Sequence, residues 1–152
     1  MPQCLHSRRL LILDFFQSMR TVPSGQNSLI TRENKLNTTY KLKNPPASTP
    51  ALYATEDITA DEKLVTAHYF LPGTGADWYV VEFSSEEQLL FGWAELVPGG
   101  GELGYTSFRE LESIVVFSNL RFESRVIPIP MRVELDEHWT IRPLCEVLAA
   151  RA

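Results

Sequence analysis

A histidine and two glutamates are the side chains of this sequence whose chemistry stands out. His68, Glu82 and Glu102 lie within or beside runs of apolar and aromatic residues. Because imidazole and carboxylate groups are the usual proton carriers and metal ligands of enzymes, they could form an acid–base or metal site. None of the three histidines lies in the HxxxH or HxH spacing of a metal site, however. We therefore predict no metal, no cofactor and no catalytic residue, and keep a small hydrolase or metal-dependent enzyme using His68 and Glu82 as the alternative.

Two further stretches match motifs of catalysis or phosphate binding only in part. Ser107 lies in GYTSF, which lacks the GxSxG of a nucleophile elbow, and Glu110 follows it at the spacing of a helix capping box. The glycines of PGGGELG (98–104) lack the GK[ST] of a P-loop. These patterns predict a helix cap at Ser107 and a hairpin turn at the glycines.

The elements that must position these residues are apolar runs separated by short turn clusters. The runs are LVTAHYFL (64–71), DWYVVEF (77–83), LLFGWAEL (89–96) and the shorter LGYT (103–106). Such runs at short spacing are typical of an antiparallel meander. A helix follows Ser107, so the pattern predicts an α+β fold, with a three- to four-stranded antiparallel meander packed against one or two helices.

Two later segments complete the prediction. The run RVIPIPM alternates like a strand but holds Pro128 and Pro130, so any strand there should lie at an edge. Thr140 is predicted to cap a last helix that runs through Leu148, with Pro143 in its first turn.

The faces of the sheet follow from the turn at 72–76. If this turn pairs Leu71 with Asp77, Phe70 and Trp78 share a face with His68 and Glu82, and the other face is nearly all apolar. A register one residue different would change this assignment. We predict that Phe70 and Trp78 form an aromatic binding face.

Charge divides the chain into two parts. Residues 1–50 hold seven basic and two acidic side chains and are rich in Pro, Ser, Asn and Thr, so we predict an extended, poorly ordered N-terminal arm. Residues 51–152 hold seventeen acidic and seven basic side chains and are predicted to form a single domain. No run approaches the eighteen apolar residues of a membrane span, and the two cysteines show no metal-ligand spacing. We predict a cytoplasmic protein.

The acidic residues supply a binding hypothesis. Twelve acidic side chains stand against two basic ones between Glu56 and Glu112. Carboxylates spaced along a rigid sheet can occupy the places of phosphates in a basic groove. We predict such an acidic face from Glu82, Glu86, Glu87, Glu95 and Glu102.

Two other roles remain open for charged residues. Direct nucleic-acid binding would use the arm residues Arg32, Lys35, Lys41 and Lys43, and the acidic body disfavours it. Glu82 or Glu102 could instead be buried, in which case it needs donors such as Arg109 or the hydroxyl of Tyr79 or Tyr105.

Four motifs resemble those of a known family: YATE (53–56), WYxxE beginning at Trp78, FG (91–92) and ELGYxSxxEL (102–111). Their combination is similar to that of a family of small uncharacterised proteins, a domain of unknown function, encoded largely on bacterial plasmids, integrative elements and phages. The resemblance covers Leu52 to Leu111 well, and RFESR and the last helix more loosely. Ser124-Arg125 departs from the acidic pair that is usual in the family after the position of Glu123. The resemblance also implies a shorter N-terminus, with a natural start at Met19.

The resemblance implies an accessory protein of mobile DNA. Our function hypothesis is therefore a non-enzymatic protein that binds a host or element-encoded protein. The acidic face makes one version specific, namely inhibition of a host defence nuclease at its nucleic-acid groove.

Overall fold

The computed structural model describes residues 40–151. Predictions about residues 1–39, including the order of the arm and the roles of Arg32 and Lys35, lie outside the described residues. One compact unit begins at Leu42. Its elements, in chain order, are a 3₁₀ turn Ala60–Glu62, β1 Leu64–Val65, β2 Ala67–Leu71, β3 Ala76–Ser84, β4 Leu89–Glu95, β5 Glu102–Ser107, α1 Phe108–Ser113, β6 Val115–Phe122, β7 Arg125–Arg132, β8 Glu134–Leu135, β9 Arg142–Pro143 and α2 Leu144–Ala149.

The central sheet is antiparallel and has the order β5-β4-β3-β2-β8. Strands β2 to β5 follow one another as a meander because short turns join them. Gly73 and Gly75 adopt φ of 74° and 75° in the first turn, a conformation that costs a glycine little. The α+β prediction is confirmed, and β8 adds a fifth strand beside β2.

The predicted register between β2 and β3 is wrong by one residue. Leu71 pairs with Ala76 and Phe70 pairs with Asp77. Since directly opposed residues share a face, Phe70 and Trp78 lie on opposite faces. Trp78 is 2% exposed and opposes Tyr69, so it belongs to the core and the two residues form no common binding face.

A β-bulge changes which residues of β3 share a face. Tyr79 opposes Trp93, whereas Glu82 opposes Phe91, and the register shifts between Val80 and Glu82. Residues three apart in a regular strand point to opposite faces, but the extra residue of the bulge brings Tyr79 and Glu82 to the same one.

Each sheet face is covered by one helix. On one face, the Phe108 ring of α1 lies 6.0 Å from the Tyr69 ring and 5.4 Å from the Phe83 ring. The Ser107 Oγ accepts a hydrogen bond from the Glu110 N–H at 3.3 Å, which confirms the predicted cap. The other face lies under α2, with a buried cluster of Val65, Tyr79, Leu144 and Val147.

The last helix begins later than predicted. Its N-cap is Pro143, and Thr140 lies outside it. The Leu144 N–H donates to the Lys63 carbonyl at 2.9 Å, and β9 pairs with β1 just before the helix. This strand pairing holds residues 142–143 extended, so the helix cannot start at Thr140.

Residues 42–50 contact the body although they form no helix or strand. Leu42 is 2% exposed, and its N–H donates to Glu112 Oε1 at 2.9 Å. The Tyr69 hydroxyl donates to the Lys43 carbonyl at 2.8 Å. This part of the predicted arm is therefore a strap on the same sheet face as α1.

Candidate functional sites

The Glu82 cluster fastens the loop before β1 to the sheet. Glu82 is 2% exposed. Its carboxylate accepts the Tyr53 N–H at 2.7 Å and the Thr55 N–H at 2.8 Å, and it also accepts the Thr55 hydroxyl. Lys63, which is 7% exposed, donates its ammonium protons to the carbonyl and hydroxyl oxygens of Thr55. Glu82 therefore has the structural role that was left open, with donors different from the three foreseen.

Three aromatic rings lie beside this cluster. The Tyr105 ring lies 4.9 Å from the Phe91 ring and 6.3 Å from the Tyr53 ring. Burial, together with nearby Tyr53 and Glu82, raises the pKa of Tyr105 to about 12. A hydroxyl with so high a pKa stays protonated at neutral pH, so it cannot serve as a general base.

The structure does not bring the five predicted acidic-face residues together. Glu95 is 6% exposed, and its carboxylate accepts the Gly99 N–H at 2.8 Å. Glu86, Glu87 and Glu102 are exposed. The first two lie in the turn before β4 and Glu102 begins β5, so they lie at opposite ends of β4, about 20 Å apart. Glu82 and Glu95 are unavailable to a partner, and only the pair in the turn forms a local acidic surface.

The His68 cluster joins three parts of the chain. The His68 ring lies between two carboxylates, with Nε2 at 2.7 Å from Asp77 Oδ1 and Nδ1 at 3.3 Å from Asp136 Oδ2. It stacks on the Tyr79 ring at 4.7 Å and 9°. The Trp139 ring lies 5.1 Å away at an angle of 50°. His68 thus connects β2 to β3 and to the loop after β8.

Asp77 extends the cluster to the C-terminal segment. Its second oxygen, Oδ2, accepts from Arg151 Nη1 at 2.7 Å, and Arg151 also donates to the Tyr79 hydroxyl and contacts Glu95 at 3.3 Å. Burial on its own would raise the pKa of Asp77, but the hydrogen bonds from His68 and Arg151 outweigh it and hold the pKa below its usual value. Burial is also the main cause that raises the pKa of Tyr79.

The geometry of the His68 cluster is that of a structural contact between chain segments. A general base needs a ring nitrogen free to take a proton from a substrate, and both His68 nitrogens face carboxylates. No hydrogen bond or ion pair joins His68 to Glu82, whose partners are in the loop before β1. Within residues 40–151, no group of three His, Cys, Asp or Glu side chains is arranged to hold a metal ion.

Sequence patterns missed Asp136 and Arg151, which lie 68 and 74 positions from their partners in the chain. No local spacing signals contacts of that range. Asp77 could have been found, because the correct β2–β3 register places it directly opposite Phe70 and beside His68.

Strands β6 and β7 form a separate two-stranded antiparallel ribbon. Opposed and alternate positions place six apolar residues on one side, which we call the apolar ribbon face: Val116, Leu120, Phe122, Ile127, Ile129 and Met131. Leu120 is 52% exposed and Phe122 is 64% exposed. Three arginines and one glutamate are the charged residues of the ribbon. Exposed apolar surfaces are typical of interaction sites in other proteins.

Comparison with known proteins identifies the family. A family described as "Protein of unknown function (DUF2958)" matches residues 48–137. The chain belongs to this family. No curated protein and no solved structure matches it. The resemblance to an uncharacterised family is thereby confirmed.

The DUF2958 match covers the Glu82 cluster and the ribbon in full and the His68 cluster in part. It includes His68, Asp77, Glu82 and Asp136, and it includes β6 and β7. It ends before α2 and before Arg151. The part of the chain that the structure describes contains no helix long and apolar enough to cross a membrane.

Proposed function

We propose that this DUF2958 protein is a non-enzymatic, cytoplasmic accessory protein of a mobile genetic element, and that it binds a host or element-encoded protein. The observation that carries the proposal is the apolar ribbon face. Four of its six side chains, Leu120, Phe122, Ile127 and Ile129, are between 38% and 64% exposed, whereas comparable residues of the central sheet are buried. Burial of such side chains against a partner is strongly favourable, since each contributes roughly 1.5–3 kcal/mol when fully removed from water.

The two polar clusters argue against the enzymatic alternative. His68 has no free ring nitrogen, and the Glu82 carboxylate accepts hydrogen bonds from backbone and hydroxyl donors. Both sets of contacts hold loops in place. In this proposal, replacing His68 or Glu82 changes stability and leaves partner binding intact wherever the protein stays folded.

A second candidate rests on the exposed turn that holds Glu86 and Glu87. These carboxylates belong to an acidic body, and they could meet the basic groove of a nucleic-acid-binding protein such as a host defence nuclease. Direct nucleic-acid binding has less support. Lys43, one of the four arm residues predicted for it, pairs with Glu137.

The test determines whether the apolar ribbon face or the turn with Glu86 and Glu87 captures a partner protein. Immobilised full-length chain is incubated with lysates of the natural host, with and without the mobile element, and bound proteins are quantified by mass spectrometry. Leu120→Thr/Ile127→Thr removes apolar area at a cross-strand pair and places a threonine, whose β-branched side chain favours strands, at both positions. Glu86→Lys/Glu87→Lys is the matched surface control.

We expect the ribbon variant to lose the captured protein and the turn variant to retain it. The electrostatic candidate predicts the reverse, together with capture that falls steeply with salt, because exposed charges are screened over about 8 Å at physiological ionic strength. Capture that neither variant changes would contradict both surfaces.

A further inference from the structure

We propose that two copies of this chain pair through the outer edge of β6, so that their two ribbons form one four-stranded antiparallel sheet. The inference goes beyond the proposed function and does not depend on it. It concerns the edge of the ribbon, whereas the proposed partner contacts the apolar ribbon face.

The register shows which edge can accept a strand. Glu123 and Ser124 form a two-residue turn, so the closing pair Phe122–Arg125 and every second pair after it exchange hydrogen bonds within the ribbon. The remaining pairs direct their N–H and C=O groups outwards. On β6 these outward residues are Val115, Phe117, Asn119 and Arg121, and on β7 they are Val126, Pro128, Pro130 and Arg132.

The two outer edges therefore differ. Pro128 and Pro130 have no N–H, so the outer edge of β7 lacks two of its four donors. The outer edge of β6 keeps all four. Because an open strand edge promotes unwanted association, proteins usually block it. Here only the β7 edge is blocked, which is the arrangement expected if the β6 edge has a partner.

The ribbon is also too small to be a sheet by itself. An isolated two-stranded hairpin is marginally stable in water, and three or more strands are needed for independent stability. Among residues 40–151, β6 pairs with β7 and with no other strand. Pairing two ribbons along β6 supplies four strands.

Charge favours a second copy in the antiparallel direction. The tip of the ribbon carries Arg121, Glu123 and Arg125, a net charge of +1, while α1, which precedes β6 directly, carries Arg109, Glu110 and Glu112, a net charge of −1. An antiparallel β6–β6 pair brings the tip of each ribbon to the base of the other, so opposite charges meet. A parallel pair would bring the two tips together, and these have the same net charge. The antiparallel contact has two-fold symmetry and closes at two copies.

The test is a proline substitution on each edge. Asn119→Pro removes an outward N–H from β6, and Val126→Pro removes one from β7, so neither removes a hydrogen bond within the ribbon. Sedimentation equilibrium of the full-length chain gives the dimer dissociation constant. We expect a dimer for the unchanged protein and for Val126→Pro. Asn119→Pro should raise the dissociation constant about thirtyfold, because two-fold symmetry removes each hydrogen bond twice.

Hydrogen exchange of the unchanged chain provides a second measurement that needs no variant. The amides of Phe117, Asn119 and Arg121 should be protected at high protein concentration and exchange quickly at low concentration, while the Val126 amide should exchange quickly at both. A monomer at every concentration, or exchange that does not depend on concentration, would overturn the proposal and leave the edge to a strand of another protein. Equal effects of the two prolines would also overturn it. Loss of dimerisation with retained protein capture would leave the proposed function standing.

Discussion

Replacing Glu82 with glutamine separates a structural carboxylate from a catalytic one. Glu82 is 2% exposed, and its two oxygens accept three hydrogen bonds from the loop before β1, two from the backbone N–H groups of Tyr53 and Thr55 and one from the Thr55 hydroxyl. Glutamine has nearly the same shape, but one of its acceptors is replaced by an NH₂ group. That group would point a donor at a donor of the loop.

The expected loss of stability follows from these contacts. One buried N–H loses its acceptor, which costs roughly 1–3 kcal/mol, and the other hydrogen bonds lose the contribution of an ionised partner. The ammonium of Lys63 also loses the negative charge that lies across Thr55 from it. Its own two oxygen partners on Thr55 remain, so the full penalty of an unpaired buried charge does not apply. We expect Glu82→Gln to lower the free energy of unfolding by about 3 kcal/mol.

Urea unfolding followed by tryptophan fluorescence measures this change, since two of the three tryptophans lie in the central sheet. Glu86→Gln, in the exposed turn, is the matched control and should change stability by less than about 0.5 kcal/mol. A loss below about 1 kcal/mol for Glu82→Gln would refute the account of the cluster. So would a loss of partner capture in a variant that remains folded.

Three further changes test other parts of the structure. Gly92→Ala should destabilise by about 3 kcal/mol, because a Cβ there would lie 2.0 Å from the carbonyl oxygen of the facing strand, whereas Gly104→Ala has open space and should be nearly neutral by the same urea assay. Ser107→Ala should cost about 1 kcal/mol through the lost N-cap, and a larger effect on partner capture than on stability would contradict a purely structural hydroxyl. The pKa of Asp77 lies below the unfolded value of 3.8, so its contribution to stability is complete above that pH and is lost as the pH falls through the folded pKa. When the pH is lowered from about 5 to about 3, the free energy of unfolding should therefore fall less for Asp77→Asn than for the unchanged protein. Equal decreases in the two proteins would show that the His68 cluster does not stabilise the fold through this carboxylate.

The meander and the first helix were predictable because their signals are local. Apolar runs, short turns and the helix cap at Ser107 each lie within a few residues, and each matches the structure. The register of β2 on β3 was not predictable in this way, since a turn longer or shorter by one residue leaves the same apolar pattern. Because of this one-residue error in the register, the sequence analysis assigned Trp78 to a surface, whereas it lies in the core.

The clusters were less predictable than the fold because they depend on geometry that spacing does not show. The bulge after Val80 determines on which face of the sheet the Glu82 side chain lies. Asp136 and Arg151 of the His68 cluster lie far along the chain from their partners. The sequence indicated that a buried Glu82 would need hydrogen-bond donors, and the expected donors were side chains. The observed donors are mainly backbone N–H groups of a loop, and every residue type except proline has such a group, so the sequence does not reveal them.

The contrast between hydrogen-bonded ionisable side chains in the central sheet and exposed apolar side chains in the ribbon favours binding over catalysis. In the central sheet, the ionisable groups with reactive potential already have partners: the Glu82 carboxylate holds the loop before β1, and the His68 ring holds the loop after β8. In the ribbon the situation is reversed, because apolar side chains remain about half exposed and the outer edge of β6 keeps its hydrogen-bonding groups. Groups that are already satisfied stabilise the fold, and groups that are not provide the free energy of association. Within residues 40–151, the ribbon therefore supports the proposed partner binding better than the two polar clusters support catalysis.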